Sequence, residues 1–127
     1  MRAGAHILMG VVATAGCTAP FAFSASAEDF RRLRTTEIRS RLGGMEVTDG
    51  VHWADQYMRD GTYRAFHMGK QTSGKWLVRN DELCLEQAAA EASCKQVWAA
   101  GNRIEFRAPE SEAPPMEGVL QKQQVRR

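Results

Sequence analysis

Polar and apolar residues alternate along several short segments of this chain, most clearly over 75–79 and 103–107. In the second segment, charged residues separate the apolar side chains of Ile104 and Phe106. Successive side chains of a β-strand point to opposite faces of a sheet, so this alternation predicts strands with one buried face. Short runs of β-branched and aromatic residues extend the prediction to the full set of strands, 45–48, 51–58, 62–68, 74–79, 82–86, 93–98 and 102–107.

Two-residue turn signals separate several of these strands: Asp49-Gly50, Asp60-Gly61, Asn80-Asp81 and Gly101-Asn102. Tight hairpin turns require a positive φ, which glycine accepts and which Asn and Asp tolerate. Strands joined by such turns pair with their neighbours in antiparallel fashion. We therefore predict a mainly-β fold, either a small antiparallel β-meander sheet or a half-open barrel, because about seven short strands are too few for a closed one.

A short helix is predicted before the strands, over residues 35–42. Its apolar residues fall roughly on one side: Leu33, Ile38 and Leu42. Thr35 or Thr36 is suited to the N-cap position, and Gly43-Gly44 would end the helix. We expect this helix to pack on an edge of the sheet or across an opening.

The predicted core is modest in size. It comprises Trp53, Tyr57, Tyr63, Phe66, Trp76, Val78, Leu83, Leu85, Val97, Ile104 and Phe106. After Arg107 the composition changes, because prolines and glutamates alternate and a polar run follows from Gln121 onward. Such a segment buries too little apolar surface to order itself, so we predict a single β-rich domain over 28–107 and a disordered tail over 108–127.

The first 27 residues have the pattern of a secretory signal peptide. Arg2 supplies a positive start, the stretch 7–23 is apolar without charge, and Ala25-Ser26-Ala27 offers the small residues that cleavage requires. The apolar stretch is short and interrupted, so no transmembrane segment is expected in the mature chain. We therefore predict a periplasmic or secreted protein that begins at Glu28.

One segment within this signal resembles the lipobox of bacterial lipoproteins. It is Thr14-Ala15-Gly16-Cys17, and it carries Thr where the motif normally has Leu. Because a good cleavage site follows it, we read Cys17 as part of the discarded apolar region and do not expect a lipid anchor there.

Export decides how the other two cysteines are interpreted. Cys84 and Cys94 are the only cysteines after residue 27. An even number of cysteines in an oxidising compartment is most simply explained by a disulfide. The two residues lie in neighbouring predicted strands, so this bond would clamp a hairpin.

The net charge of the chain is too small to attract polyanions such as nucleic acid in general. The chain has 17 Lys and Arg against 15 Asp and Glu, and a balance this even does not favour nucleic-acid binding. One local cluster stands out: Arg31, Arg32, Arg34, Arg39 and Arg41. It would dock on phospholipid head groups or an acidic partner, or else form a solvated helix face, which we favour because acidic residues dilute it.

Catalytic and metal-binding patterns are weak. His52 and His67 would lie in neighbouring strands and, with Asp55, would approach a metal-binding arrangement. Because histidines on half-exposed strands are commonly surface residues, we predict neither a metal site nor a cofactor. Asp49, Asp55 and Asp60 are interpreted as turn formers. No nucleophile elbow or phosphate-binding loop is present, so we predict that the protein is not an enzyme.

Four aromatic residues are candidates for a binding surface: Trp53, Tyr57, Tyr63 and Trp98. They would line a concave sheet face that holds a small ligand, or present a surface to another protein. The alternative is that they are core residues, which we favour for Trp53; Trp98 lies near a strand end.

The order of these motifs resembles that of small secreted proteins of rhizobia and related alphaproteobacteria. The resemblance covers roughly 35–106 and rests mainly on the Gly74-Lys75-Trp76 strand, the Leu83-Cys84 strand that follows, and Cys94. Those proteins are of unknown function, so the resemblance implies export, a β-rich domain and a cysteine pair but no active site. We predict a non-catalytic exported binding or interaction protein for an unknown protein or small-molecule partner. The runner-up is a carrier of a small molecule or metal, and a small enzyme comes third.

Overall fold

The computed structural model describes residues 4, 10–13, 15–16, 29–88 and 90–126. Most of the predicted signal peptide falls outside these residues, as does Cys17. The described part contains one helix, α1 (Thr35–Leu42), and nine strands. The strands are β1 (Arg31–Arg32), β2 (Met45–Thr48), β3 (Trp53–Tyr57), β4 (Thr62–His67), β5 (Lys70–Arg79), β6 (Glu82–Gln87), β7 (Ser93–Ala100), β8 (Arg103–Arg107) and β9 (Met116–Lys122).

The strands form a closed antiparallel barrel. Strands β2 to β7 pair in sequence order, β9 pairs with both β2 and β8, and β8 pairs with β7. The short β1 pairs with Trp98 and Ala99 of β7, beyond the residues of β7 that pair with β6. The mainly-β prediction is confirmed, whereas the half-open barrel is wrong because an eighth barrel strand, β9, fills the gap.

Strand β9 corrects the prediction of a disordered tail over 108–127. The three prolines of that segment and two of its three glutamates lie in the loop before β9, and exposed residues alternate with less exposed ones over 116–120 of β9 itself. Three residues of β9 face inward. Met116 and Gly118 are paired with Phe106 and Ile104 of β8, and Leu120 is paired with Val47 of β2. Because two neighbouring strands satisfy its backbone, this segment is ordered despite a polar composition.

The turns largely follow the sequence signals. Asn80 and Asp81 both adopt positive φ, as a two-residue hairpin turn requires. Met68-Gly69 forms a further turn with positive φ at both residues, and the sequence analysis missed it because methionine is a poor turn signal. Strand β5 therefore begins at Lys70, four residues before the predicted start at 74.

Helix α1 covers one end of the barrel, here called the helix end. Leu33, Ile38 and Leu42 are fully buried there against the barrel core. The predicted N-cap is wrong: Arg34 occupies that position, and Asp81 of the β5–β6 turn binds the start of the helix instead. Its carboxylate accepts from the backbone N–H and the hydroxyl of Thr35, at 2.8 and 3.0 Å.

The opposite end, here called the loop end, carries the connections 49–52, 68–69, 88–92 and 108–115. Of the predicted core, all but four residues are buried in the described structure; Trp53, Trp76 and Leu85 are half-buried against the core, and Phe66 is half-buried on the outer wall. Phe66 neighbours the inward-facing Ala65 and therefore points outward. No helix in the described ranges is long and apolar enough to cross a membrane.

Cys84 and Cys94 form the predicted disulfide, which is confirmed. The two residues lie directly opposite each other in β6 and β7, so the bond clamps this hairpin.

A further cluster lies on the outer wall, where residues 123–126, here called the C-terminal strap, fold back over β2. Glu46 of β2 is fully buried beneath the strap. Its carboxylate accepts from the Arg126 guanidinium at 2.7 and 3.0 Å, and from the amides of Gln56 and Gln121 at 2.9 and 2.8 Å. Burial by itself would raise the pKa of Glu46, but these donors together lower it to about 2.

Candidate functional site

A polar cluster lies inside the barrel towards the loop end, and alternation in two paired strands builds it. Trp53, Asp55 and Tyr57 are alternate residues of β3, and the first and last are paired with His67 and Tyr63 of β4. Alternate residues share a face, so all five side chains point inward. The hairpin thus places one carboxylate among four aromatic rings.

Asp55 and His67 form the central contact of this cluster. The Asp55 Oδ1 atom lies 2.7 Å from Nε2 of His67. Only 7% of the Asp55 side chain is exposed, against 46% for His67. The His67 ring also lies 6.2 Å from the Trp53 ring, tilted by 54°. His67 therefore connects a buried carboxylate to solvent at the loop end.

Two tyrosines lie deeper in the barrel beneath Asp55. The Tyr57 and Tyr63 rings are 5.6 Å apart, and Tyr57 meets the edge of Trp76 at 5.7 Å. Both hydroxyls interact with the Asp55 carboxylate. Burial, followed by the charge of Asp55, raises the pKa of both tyrosines, so both remain neutral hydrogen-bond donors.

Burial also raises the pKa of Asp55 itself. The hydrogen bond and charge of His67, the Tyr63 hydroxyl and the charge of Lys95 oppose this effect without cancelling it. Keeping Asp55 ionised inside the barrel therefore costs stability at neutral pH.

Strands β6 to β9 supply the facing wall of a small cavity beside Asp55. Its lining is Asp55, Tyr57, Leu83, Leu85, Ser93, Lys95, Phe106 and Met116, and its volume is about 20 Å³. That space holds about one water molecule. In the described part of the chain, the Ser93 hydroxyl and the Lys95 ammonium make no hydrogen bond to protein. These two polar groups and His67 are therefore available to a bound molecule.

The four residues of the predicted aromatic surface are not brought together on one face. Tyr57 and Tyr63 are only 1% and 2% exposed, and Trp53 is half-buried at the loop end. Trp98 lies elsewhere, on the outer face of β7, where the Arg107 guanidinium stacks 4.0 Å from its ring centre. It points outward because its neighbours Val97 and Ala99 point inward.

The three metal-ligand candidates are not brought together. His67 and Asp55 meet, but His52 lies in the 49–52 connection and is exposed. There its Nδ1 atom lies 2.8 Å from the Asp49 carboxylate. No group of three or more His, Cys, Asp or Glu side chains suited to a metal ion occurs among the described residues.

The interpretation of the aspartates as turn formers is correct for two of the three. Asp49 accepts three backbone N–H groups of its own loop, and Asp60 accepts that of Thr62. Asp55 is instead the interior carboxylate. The available signal was its spacing, because Trp53, Asp55 and Tyr57 alternate like core residues.

Comparisons with known proteins found no matching protein family, no matching curated protein and no matching solved structure. The resemblance to rhizobial secreted proteins stays a prediction.

Proposed function

We propose that this protein is a non-catalytic exported binding protein that holds a small polar molecule at the loop end of its barrel. The observation that carries the proposal is the ionisable cluster around Asp55. Folding alone would be better served by an apolar side chain at this position, since burying a carboxylate costs more than burying a hydrocarbon of similar size. Buried ionisable groups that lower the stability of a protein are commonly found at functional sites.

The chemistry of the site suggests the kind of ligand. His67 is half-exposed, and its Nε2 atom contacts Asp55, so its Nδ1 atom is left for a ligand. Lys95 and Ser93 of β7 line the cavity beside Asp55 and offer a positive charge and a hydroxyl. A ligand with one hydrogen-bonding polar group, anionic or neutral, would use these three groups. Its apolar part would contact Trp53, Leu85 and Met116.

The size of the cavity limits this ligand. With room for about one water molecule between Asp55 and Lys95, only a ligand's polar end enters, and the remainder would lie among the rim residues. Export is part of the same proposal. It is supported by the amino-terminal pattern and by the disulfide, a bond typical of oxidising compartments.

Native mass spectrometry of protein purified from the periplasm of a Gram-negative host tests the proposal. The wild-type protein is compared with His67→Gln and with His52→Gln, a matched control at an exposed histidine in the connection before β3. We expect extra native mass that disappears on denaturation, is lost in His67→Gln and is kept in His52→Gln. Equal retention by all three proteins, or no extra mass under any condition, would contradict the site.

A further inference from the structure

The helix end of the barrel is basic. Six arginines lie there: Arg31, Arg32, Arg34, Arg39 and Arg41 in β1, α1 and the segment between them, and Arg59 in the β3–β4 turn. Arg79 and Arg103 lie at the adjoining strand ends, and the carboxylates at this end are those of Asp29, Glu37, Asp60, Asp81 and Glu82. Eight arginines thus lie beside five carboxylates on the surface formed by the helix and its adjacent turns.

The loop end has no such excess of cations. Its connections and the adjacent end of β6 carry Asp49, Glu86, Glu91, Glu110 and Glu112, and the neighbouring strand residues include Lys70, Lys75, Lys95 and Arg107. A formal net charge of only +2 therefore conceals an excess of positive charge at the helix end. A molecule of this kind is oriented by a charged surface even though its overall attraction is small.

Most of these guanidinium groups are not neutralised by carboxylates. Arg32, Arg39 and Arg41 donate to the backbone carbonyls of Asp81, Val78 and Gly101. These bonds fix the side chains but leave their charges in place. In the described part of the chain, the only ion pair among the six arginines joins Arg31 to Glu37.

A groove runs through this basic surface between α1 and β5. Its lining includes Arg39 and Ser40 of α1, Arg59, Asp60 and Gly61 of the β3–β4 turn, and the half-buried Trp76 of β5; the volume is about 520 Å³. Two guanidinium groups thus accompany one carboxylate in this groove. Guanidinium groups bind phosphate oxygens in a planar, bidentate manner that lysine does not reproduce. The groove therefore has the size and the donors to hold a phosphate-containing head group.

We propose that the helix end docks on a bilayer surface containing anionic phospholipids, with Arg39 and Arg59 binding the head-group phosphate. The loop end then faces away from the bilayer, where its cavity is accessible. This assignment is independent of the proposed small-molecule site, since it uses residues at the other end of the barrel.

Vesicle co-sedimentation of the folded chain tests the proposal. Phosphatidylcholine vesicles with about 30 mol % phosphatidylglycerol are compared with pure phosphatidylcholine, at low salt and at about 0.5 M NaCl. We expect binding to the anionic vesicles alone and its loss at high salt. One basic residue near such a surface contributes roughly fivefold to binding, so Arg39→Gln/Arg59→Gln should weaken it about twentyfold.

The matched control is Arg64→Gln/Lys70→Gln, which removes the same charge from exposed positions away from the helix end. It should bind within about twofold of the wild-type protein, because only the helix end faces the lipid. Equal loss in both double variants would overturn the proposal, as would equal binding to neutral vesicles. Thermal stabilisation by inorganic phosphate, with no binding to anionic vesicles, would replace it with a site for a soluble anion. Circular dichroism confirms that both variants are folded.

Discussion

The Asp55 carboxylate lies 2.7 Å from Nε2 of His67, although twelve positions separate the two residues in the chain. Strand pairing brings them together within a single hairpin, since Asp55 is opposite Ala65 and His67 is opposite Trp53. The contact therefore depends on the register of β3 and β4, and a slip of one residue in either strand would place the two side chains on opposite faces of the sheet.

Asp55→Asn should leave the protein as stable as the wild type at pH 7, or raise the free energy of unfolding by about 1 kcal/mol. The variant removes a charge whose burial is unfavourable and keeps an oxygen that accepts from the neighbouring donors. Urea denaturation measures the difference. A loss of several kcal/mol at pH 7 would show that the ionised carboxylate is a structural requirement.

The pH dependence of the same pair of proteins gives a second test of Asp55. Its pKa is raised in the folded protein above the unfolded value of 3.8, so the folded state binds this proton more tightly. The contribution of Asp55 to the free energy of unfolding therefore falls as pH rises through the interval between the two values. The wild-type protein should gain stability relative to Asp55→Asn as pH decreases through that interval.

Glu46 should behave in the opposite way. Its pKa falls from 4.5 to about 2 on folding. Its contribution to the free energy of unfolding is therefore fully present above pH 4.5 and is lost as pH falls towards 2. The pKa shift corresponds to a contribution of about 3 kcal/mol. Glu46→Gln should lose about 2 kcal/mol at pH 7, because its amide keeps some hydrogen bonds.

The control for this prediction is how the loss of stability in Glu46→Gln depends on pH. The difference between the wild-type protein and Glu46→Gln, measured by urea denaturation, should shrink steadily below pH 4.5. A difference that does not change between pH 7 and pH 2.5 would show that the carboxylate charge is not what stabilises the C-terminal strap.

Gly118→Ala should destabilise the closure of the barrel. A Cβ atom at this position would lie 2.8 Å from Trp53 Cη2 and 2.9 Å from the backbone oxygen of Thr48. We expect a loss of about 2 kcal/mol, since contacts this short force β9 or Trp53 to shift. Val119→Ala, at the neighbouring outward position, should cost less than about 0.5 kcal/mol. Equal thermal shifts for the two variants would contradict the described packing of β9.

Removing the disulfide should cost about 2 to 3 kcal/mol, because Cys84 and Cys94 close a short loop within one hairpin. Cys84→Ser/Cys94→Ser, and the wild-type protein under reductant, should show the same fall in melting temperature. If reductant lowers the melting temperature of the double variant as well, the effect does not come from this bond.

The sequence predicts those helices and strands whose signals lie within a few neighbouring residues. The helix over 35–42 and the first seven strands of the barrel follow from periodicity and turn residues, with errors of a few residues at their ends. Strand β9 could not be recognised in the same way. Met116 and Leu120 are few apolar residues in a polar segment, and what orders them is pairing with β2 and β8, which are distant in sequence.

The candidate site was predicted only in parts. Asp55 and His67 were both noted, but as possible metal ligands together with His52, which lies in the connection before β3 and contacts Asp49 instead. Lys95 and Ser93 gave no signal, because their role depends on closure of the barrel and on which face of β7 points inward. Register and closure are properties of the tertiary structure, and single-residue chemistry does not reveal them.

The position of β9 in the chain also constrains when the protein can fold. Glu46 and Gln121 are 75 positions apart, yet their side chains are hydrogen-bonded across the β2–β9 pair that completes the barrel. Contacts between such distant segments form slowly, and here they need β9, the last of the described strands. A nascent chain still held near residue 116 by the ribosome has β2 and β8 with unpaired edges. It can reach the native state only after synthesis of β9 is complete and the strand is released.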